Sequence, residues 1–255
     1  MPIRRTRTKS SELRDLRRRH QALQESVSKL EARLKSSVPD DRRDPGPEVD
    51  QALEVLALKR YVRATADGWL QVMMSGTKTS LPSGLGVTIT SQTGGRDYGT
   101  IDEGIFSGRT FDVTSGNVVS TAQRNSNVSM PFERAQVPVV IDGITYDRQL
   151  TVSWMEGEVA KSMGPFPTKT HATNPTPSGT HDVEIADYPH SDGKQYGAFG
   201  TVWFRIGHLG DRYVHPGRYS DGCLTCAPGN WQRIYSVLNS GRLGDGQSVG
   251  RLKVT

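Results

Sequence analysis

The chain has 255 residues, of which 34% are hydrophobic and 7% aromatic, with 27 glycines, a balance that suits a β-rich fold with many turns better than a helical bundle. That length allows one large domain or two small ones, and no apolar run approaches the roughly 18 residues of a membrane span. The net charge of +5 is uneven: residues 1–43 carry +7 and the remainder −2, so the basic character belongs to the N-terminal arm and not to the body.

In chain order, Ser10 or Ser11 can cap a helix whose first turns hold Glu12 and Asp15, which favour its dipole. Leu13, Leu16, His20, Leu23, Val27, Leu30 and Leu34 then alternate spacings of three and four, a heptad seam. This predicts a basic coiled-coil helix over 1–36, with self-association or a partner helix through residues 13–34, or one amphipathic helix docked on the body. No aromatic residue interrupts the arm, so it lacks a base-stacking platform and nucleic acid is not the expected partner. Its positive charge is not followed by an apolar stretch, so no Sec signal peptide is expected.

Residues 37–47, rich in proline and charge, read as a linker. A second helical segment is expected over 48–68, with Val49, Leu53 and Leu56 on one face. From 69 to 140, short apolar runs such as Leu85–Thr90, Thr110–Val113 and Val137–Ile141 are split by glycines, which predicts a β-rich region without a chemical motif. Over 141–255 the strands are clearer. Asp142-Gly143 marks a turn, Leu150–Trp154 and Val159–Met163 form a hairpin, and a proline-rich loop follows. Asp182–Ala186, Thr201–Ile206, Arg212–Val214 and Ser248–Val254 complete the strands, and Trp231–Leu238 has helical spacing.

The chemistry is concentrated from His208 to Cys226, which holds two of the 6 histidines and both cysteines. Cysteines this close staple nothing of size, so a disulfide framework is excluded. Cys223 follows Ser220-Asp221-Gly222. Glycine permits a tight turn that exposes the thiol, and backbone N–H groups ahead can lower its pKa and later hold an oxyanion. A histidine within reach supplies the base. Four ligands for tetrahedral zinc are also present, His208, His215, Cys223 and Cys226, although the histidines precede the CxxC pair in an unusual order. A CxxC redox couple would need a thioredoxin-like βαβ pattern, which is absent from the sequence. Cys226 reads as a small buried residue or as a resolving thiol, and His171, His181 and His190 fall in or beside loops with no chemical role assigned.

The segment resembles the L,D-transpeptidase catalytic (YkuD-like) family, on two elements. One is a strand ending in His215 followed by Ser220-Asp221-Gly222-Cys223. The other is Thr176-Pro177-Ser178-Gly179, after the strands of 150–162 and before that of 182–185. The short spacing from His215 to Cys223, and Asp221 where the family has histidine, look closest to the compact peptidoglycan-targeting effector branch. The resemblance covers about 145–255. It implies a mainly β chain, with an L,D-transpeptidase-like β-sandwich or barrel catalytic domain over 141–255 behind the coiled-coil arm. It further implies peptidoglycan stem peptides as substrate, action in the periplasm or cell wall by a non-Sec route, and no cofactor. By the same likeness Cys223 is the nucleophile, His215 the base with His208 as runner-up, and the backbone amides of Gly222 and Cys223, aided by Ser220, hold the oxyanion. Asp221 would orient His215 or cap the next helix, and Arg218 and Tyr219 would bind substrate carboxylates. A non-catalytic wall-binding protein on the same fold is the alternative.

Overall fold

The computed structural model describes residues 58–255. The coiled-coil arm, the linker and the helical expectation over 48–57 lie outside them. From Leu58 the expected helix is not found: β1 (Leu58–Val62) is a strand, because its residues pair with sheet neighbours on both sides and bury Val62 between them.

The first sheet is built from β1, β2 (Trp69–Met74), β3 (Thr77–Pro82), β4 (Gly86–Thr93), β5 (Arg96–Ile101), β6 (Thr110–Thr114) and β7 (Val118–Val119), in the order β3-β2-β6-β5-β4-β1-β7. It curls into a half-barrel. Gly99 is required by this curvature, since a Cβ there would lie 2.2 Å from the Thr88 carbonyl oxygen of the neighbouring strand.

The second sheet holds β8 (Ser126–Ile141), β9 (Ile144–Glu156), β10 (Val159–Lys169), β11 (Gly179–Glu184), β12 (Phe204–Arg205), β13 (Tyr213–Pro216), β14 (Leu224–Cys226) and β15 (Ser248–Val254). Their order is β11-β15-β8-β9-β10-β14-β13-β12, and an isolated bridge between Val183 and Ile206 brings the two ends together as a nearly closed barrel. Period-two burial drives these strands: Val128, Met130 and Phe132 of β8 and Leu150 and Val152 of β9 point inward. Residues 126–140 thus belong to this sheet, and the β-rich stretch of 69–140 divides between the two. The expected turn at Asp142-Gly143 joins β8 to β9, with both residues at positive φ. The proline-rich loop starts later than the sequence suggests. β10 runs on past Pro165 and Pro167 to Lys169, shifting register between Met163 and Phe166 so that Pro165 is absorbed at a bulge, while Pro167 stands in register opposite Gln149.

Helix α1 (Trp231–Ser240) buries Trp231, Ile234, Tyr235 and Leu238, one face at helical spacing. One hydrophobic cluster joins residues of both sheets and the helix. Polar contacts tie the sheets together too. Glu103, after β5, accepts from Arg242 Nε at 2.7 Å, and Trp69 Nε1 donates to Thr201 Oγ1 at 3.0 Å.

Candidate active site around Cys223

β13 and β14 run parallel, with His215 opposite Thr225 and Pro216 opposite Cys226. The strand therefore continues through His215 and Pro216, rather than ending before the histidine. Parallel pairing becomes available because the Gly217–Cys223 segment crosses back to start the neighbouring strand at the same end. Tyr146, on β9, supports that segment from beneath by donating its hydroxyl to the Gly217 carbonyl at 2.9 Å.

Cys223 stands one residue ahead of β14 and is half-buried. Its Sγ accepts the Tyr213 N–H at 3.4 Å. Burial pushes its pKa up, and the Tyr213 N–H offsets only part of this. The sequence suggests a depressed thiol at the start of a helix. Instead the following element is a strand, α1 begins only at Trp231, and no helix dipole acts on the sulfur.

His215 is buried and stacks on Trp203 with ring centroids 4.3 Å apart. Nδ1 lies 2.9 Å from the Pro216 carbonyl, which can only accept, so Nδ1 carries the proton and Nε2 the lone pair. Nε2 meets Thr225 Oγ1 at 3.2 Å and makes no hydrogen bond with Cys223. Burial pushes the pKa of His215 down to about 4, only partly countered by the Pro216 carbonyl. At neutral pH the thiol and the imidazole are both uncharged.

The turn around Cys223 is held by residues distant in sequence. Thr176 Oγ1 donates to the Gly222 carbonyl at 2.8 Å and Arg212 Nη1 does so at 3.0 Å, while Arg212 Nη2 reaches Asn174 Oδ1 at 2.7 Å. The Thr176-to-Gly179 and Ser220-to-Cys223 elements, remote in the chain, thus touch beside the thiol. Ser220 braces the turn from within: its hydroxyl donates to the Cys223 carbonyl at 2.7 Å and accepts from the Gly222 N–H at 3.3 Å.

Of the other expected site residues, Asp221 is exposed and its carboxylate bonds neither His215 nor a helix end; only its backbone carbonyl is engaged, by Asn174 Nδ2. Arg218 pairs with Asp142 at the tip of the β8–β9 hairpin at 3.0 Å. Tyr219 is 77% exposed. His208 lies apart, between Ser248 Oγ at 3.3 Å and Glu184 Oε1 at 3.6 Å. The four candidate zinc ligands do not converge, and no group of three metal-ligating side chains occurs among the described residues. Cys226 is fully buried.

A second polar centre escapes the sequence reading. Asp187, 1% exposed, accepts from His190 Nε2 at 3.1 Å, from the Tyr213 hydroxyl at 3.2 Å and from Arg205. Burial pushes its pKa up, but these donors outweigh burial and hold it below the usual carboxylate range. Tyr188, His190, Trp203 and His215 stack in succession at 4.5, 4.3 and 4.3 Å, running from the surface to the buried imidazole. No local motif marks these residues: Asp187 and His190 meet at Tyr213 on β13, and Arg212 and Asn174 meet at the turn before Cys223, only through the tertiary fold.

Comparison with protein-family models, with curated proteins and with solved structures finds no match. Among the described residues, no helix is long and apolar enough to cross a membrane.

Proposed function

We propose that the chain is a cysteine acyltransferase of the L,D-transpeptidase or L,D-carboxypeptidase kind, acting on peptidoglycan stem tetrapeptides through a thioester on Cys223. The observation that carries the reading is the contact of Thr176 with Gly222, which joins the two elements of the family resemblance beside a partly accessible thiol.

Because thiol and imidazole are both neutral, the proton moves as the bond forms rather than before it. Sγ attacks the carbonyl of stem residue three while His215 Nε2, leaving Thr225, takes the thiol proton. Collapse of the tetrahedral intermediate breaks the bond to D-alanine, whose amine leaves with that proton. Water then gives the tripeptide, a D-amino acid gives exchange, and the side-chain amine of a second stem gives a cross-link. Incubation with disaccharide-tetrapeptide should release D-alanine and add the acyl mass to Cys223. Absence of both, with a folded protein, would sink the reading.

One observation favours a second reading, a non-catalytic wall-binding protein. The imidazole is bonded to Thr225 and not to the thiol. Binding of the same tetrapeptide without acylation would select it.

A further inference from the structure

The Gly222 carbonyl accepts from Thr176 Oγ1 at 2.8 Å, Arg212 Nη1 at 3.0 Å and Thr170 Oγ1 at 3.4 Å, three donors for two lone pairs. Arg212 is itself fixed by the Pro175 carbonyl and by Asn174 Oδ1. Gly222 has φ +122, and a Cβ there would lie 2.8 Å from Arg212 Nη1, so the guanidinium can approach only a glycine. The Gly222–Cys223 peptide is trans. In a planar trans peptide the C=O and the following N–H point to opposite sides. Holding the carbonyl against Arg212 and Thr176 therefore turns the Cys223 N–H the other way, and that N–H has no acceptor among the described residues.

We propose that Arg212 and Thr176 are positioning residues: by clamping the Gly222 carbonyl they aim the free Cys223 N–H as the oxyanion donor for acyl transfer at Cys223. This rests on the reading of Cys223 as an acylated nucleophile. A free backbone N–H next to the attacking atom matches what a tetrahedral intermediate needs, and its alignment depends on the peptide plane alone. Arg212 touches no reacting atom; it acts through the plane it holds.

Two reactions of the same thiol separate this role from simple support of the fold. p-Nitrophenyl acetate acylates Cys223: the C–S bond forms, the ester C–O bond breaks, p-nitrophenolate leaves, and the thiol proton passes through the base to solvent. That path goes through an oxyanion. Iodoacetamide alkylates it: the C–S bond forms, the C–I bond breaks and iodide leaves, with no oxyanion. Both reactions use the same sulfur, so a change in its exposure or general reactivity shows in the alkylation rate, and the ratio, read at one fixed pH, isolates what acylation alone requires. In the full-length protein, Arg212→Met should lower the acylation-to-alkylation ratio by about 10²-fold, the scale of one lost oxyanion donor. Thr176→Val, nearly isosteric, should lower it by about 10-fold, since one of the two closest donors remains. An unchanged ratio in folded variants overturns the proposal, and Thr176→Val decides alone if Arg212→Met does not fold. If the unmodified protein reacts with the ester but not with disaccharide-tetrapeptide, the stem-peptide assignment fails while the clamp is still tested by the ratio. If Cys223 alkylates but neither reagent acylates it, clamp and function fall together.

Discussion

His215 Nε2 lies 3.2 Å from Thr225 Oγ1, so the lone pair that would serve Cys223 is held by a hydroxyl two positions beyond the thiol. Thr225 also lies 3.2 Å from the Tyr219 carbonyl and has one proton to give. With His215 neutral and Nδ1 protonated, Nε2 and the Tyr219 carbonyl are both acceptors at 3.2 Å and compete for that proton. Releasing the ring toward the thiol costs at most one neutral hydrogen bond, roughly 1 kcal/mol, because the hydroxyl can turn to the Tyr219 carbonyl. Thr225→Val should therefore raise the acylation rate of Cys223 by up to about 5-fold. A drop of about 10²-fold, the scale of a lost proton-transfer group, would instead make Thr225 part of the proton path. Stopped-flow acylation of the two proteins decides between them.

The buried imidazole also sets an acid limit on stability. His215 titrates near 6.5 when exposed and near about 4 in the fold. The unfolded chain therefore binds the proton more readily, and stability falls as pH drops from 6.5 to about 4, levelling off below. The loss amounts to about 3 kcal/mol over that window. Asp187 acts in a separate window. Its folded pKa is depressed, so its contribution is present at neutral pH and lost only below about 4. Urea unfolding at several pH values should show the first loss in the native sequence and its absence in His215→Gln.

The two thiols should behave differently. Cys226 is fully buried and its pKa is pushed far above the ordinary thiol range. It should label with iodoacetamide only after unfolding, whereas Cys223 labels in the native state at a rate that climbs with pH beyond 9, with no plateau at low pH. Cys223→Ser should abolish turnover and leave the fold intact. Cys226→Ser, which buries an unpaired hydroxyl, should cost about 1–3 kcal/mol of stability while keeping at least about a tenth of the activity. Rapid native labelling of Cys226 would contradict its placement.

The joint between the sheets is electrostatic as well as apolar. Burial raises the Glu103 carboxyl, but Arg242 and Arg124 outweigh it and hold it below the usual range. Burial in turn pulls Arg242 down to about 10, with Glu103 countering. Removing one partner strands a buried charge, so Glu103→Ala should cost about 3–5 kcal/mol, and adding Arg242→Met should recover much of that. A double-variant loss in urea equal to the sum of the Glu103→Ala and Arg242→Met losses would show the pair to be uncoupled.

The residues of 141–255 made their strands legible because apolar positions recur at period two, as Leu150 and Val152 do, and because Asp142-Gly143 dictates its turn. Helix α1 was legible from the spacing of Trp231, Ile234, Tyr235 and Leu238. The strand at Leu58–Val62 was not, since five residues of mixed polarity, Leu-Lys-Arg-Tyr-Val, fit a helix as well as a strand until the partners β4 and β7 are known. The site divides in the same way. Gly222 and Cys223 announce a strained turn, but the raised thiol pKa follows from burial that no local pattern encodes. Arg212 and Asn174 meet only because β13 and the loop before β11 converge on that turn.

The choice between the two histidines is the last test, and the geometry gives each a distinct expectation. His208 follows β12, and its ring lies between Ser248 on β15 and Glu184 on β11, at the seam closed by the Val183–Ile206 bridge, with β12 and β13 between it and β14. His215 sits on β13, directly beside β14, two residues from the level of Cys223. Neighbouring strands are roughly 4.8 Å apart and two residues span roughly 6.6 Å along a strand, a gap that a rotating imidazole can shorten. His208 would have to abandon two partners and pass β12 and β13. His215→Ala should therefore lower single-turnover acylation of Cys223 by about 10² or more, the usual scale for a lost general base. His208→Ala should change it by less than about 3-fold, because its contacts with Ser248 and Glu184 are structural and half-exposed. The pH profile sharpens the comparison: with His215 as base, acylation stays flat through neutrality and falls only as pH approaches about 4. If His208→Ala loses acylation while His215→Ala keeps it, the base is not on β13 and the pairing of His215 with Cys223 must be given up.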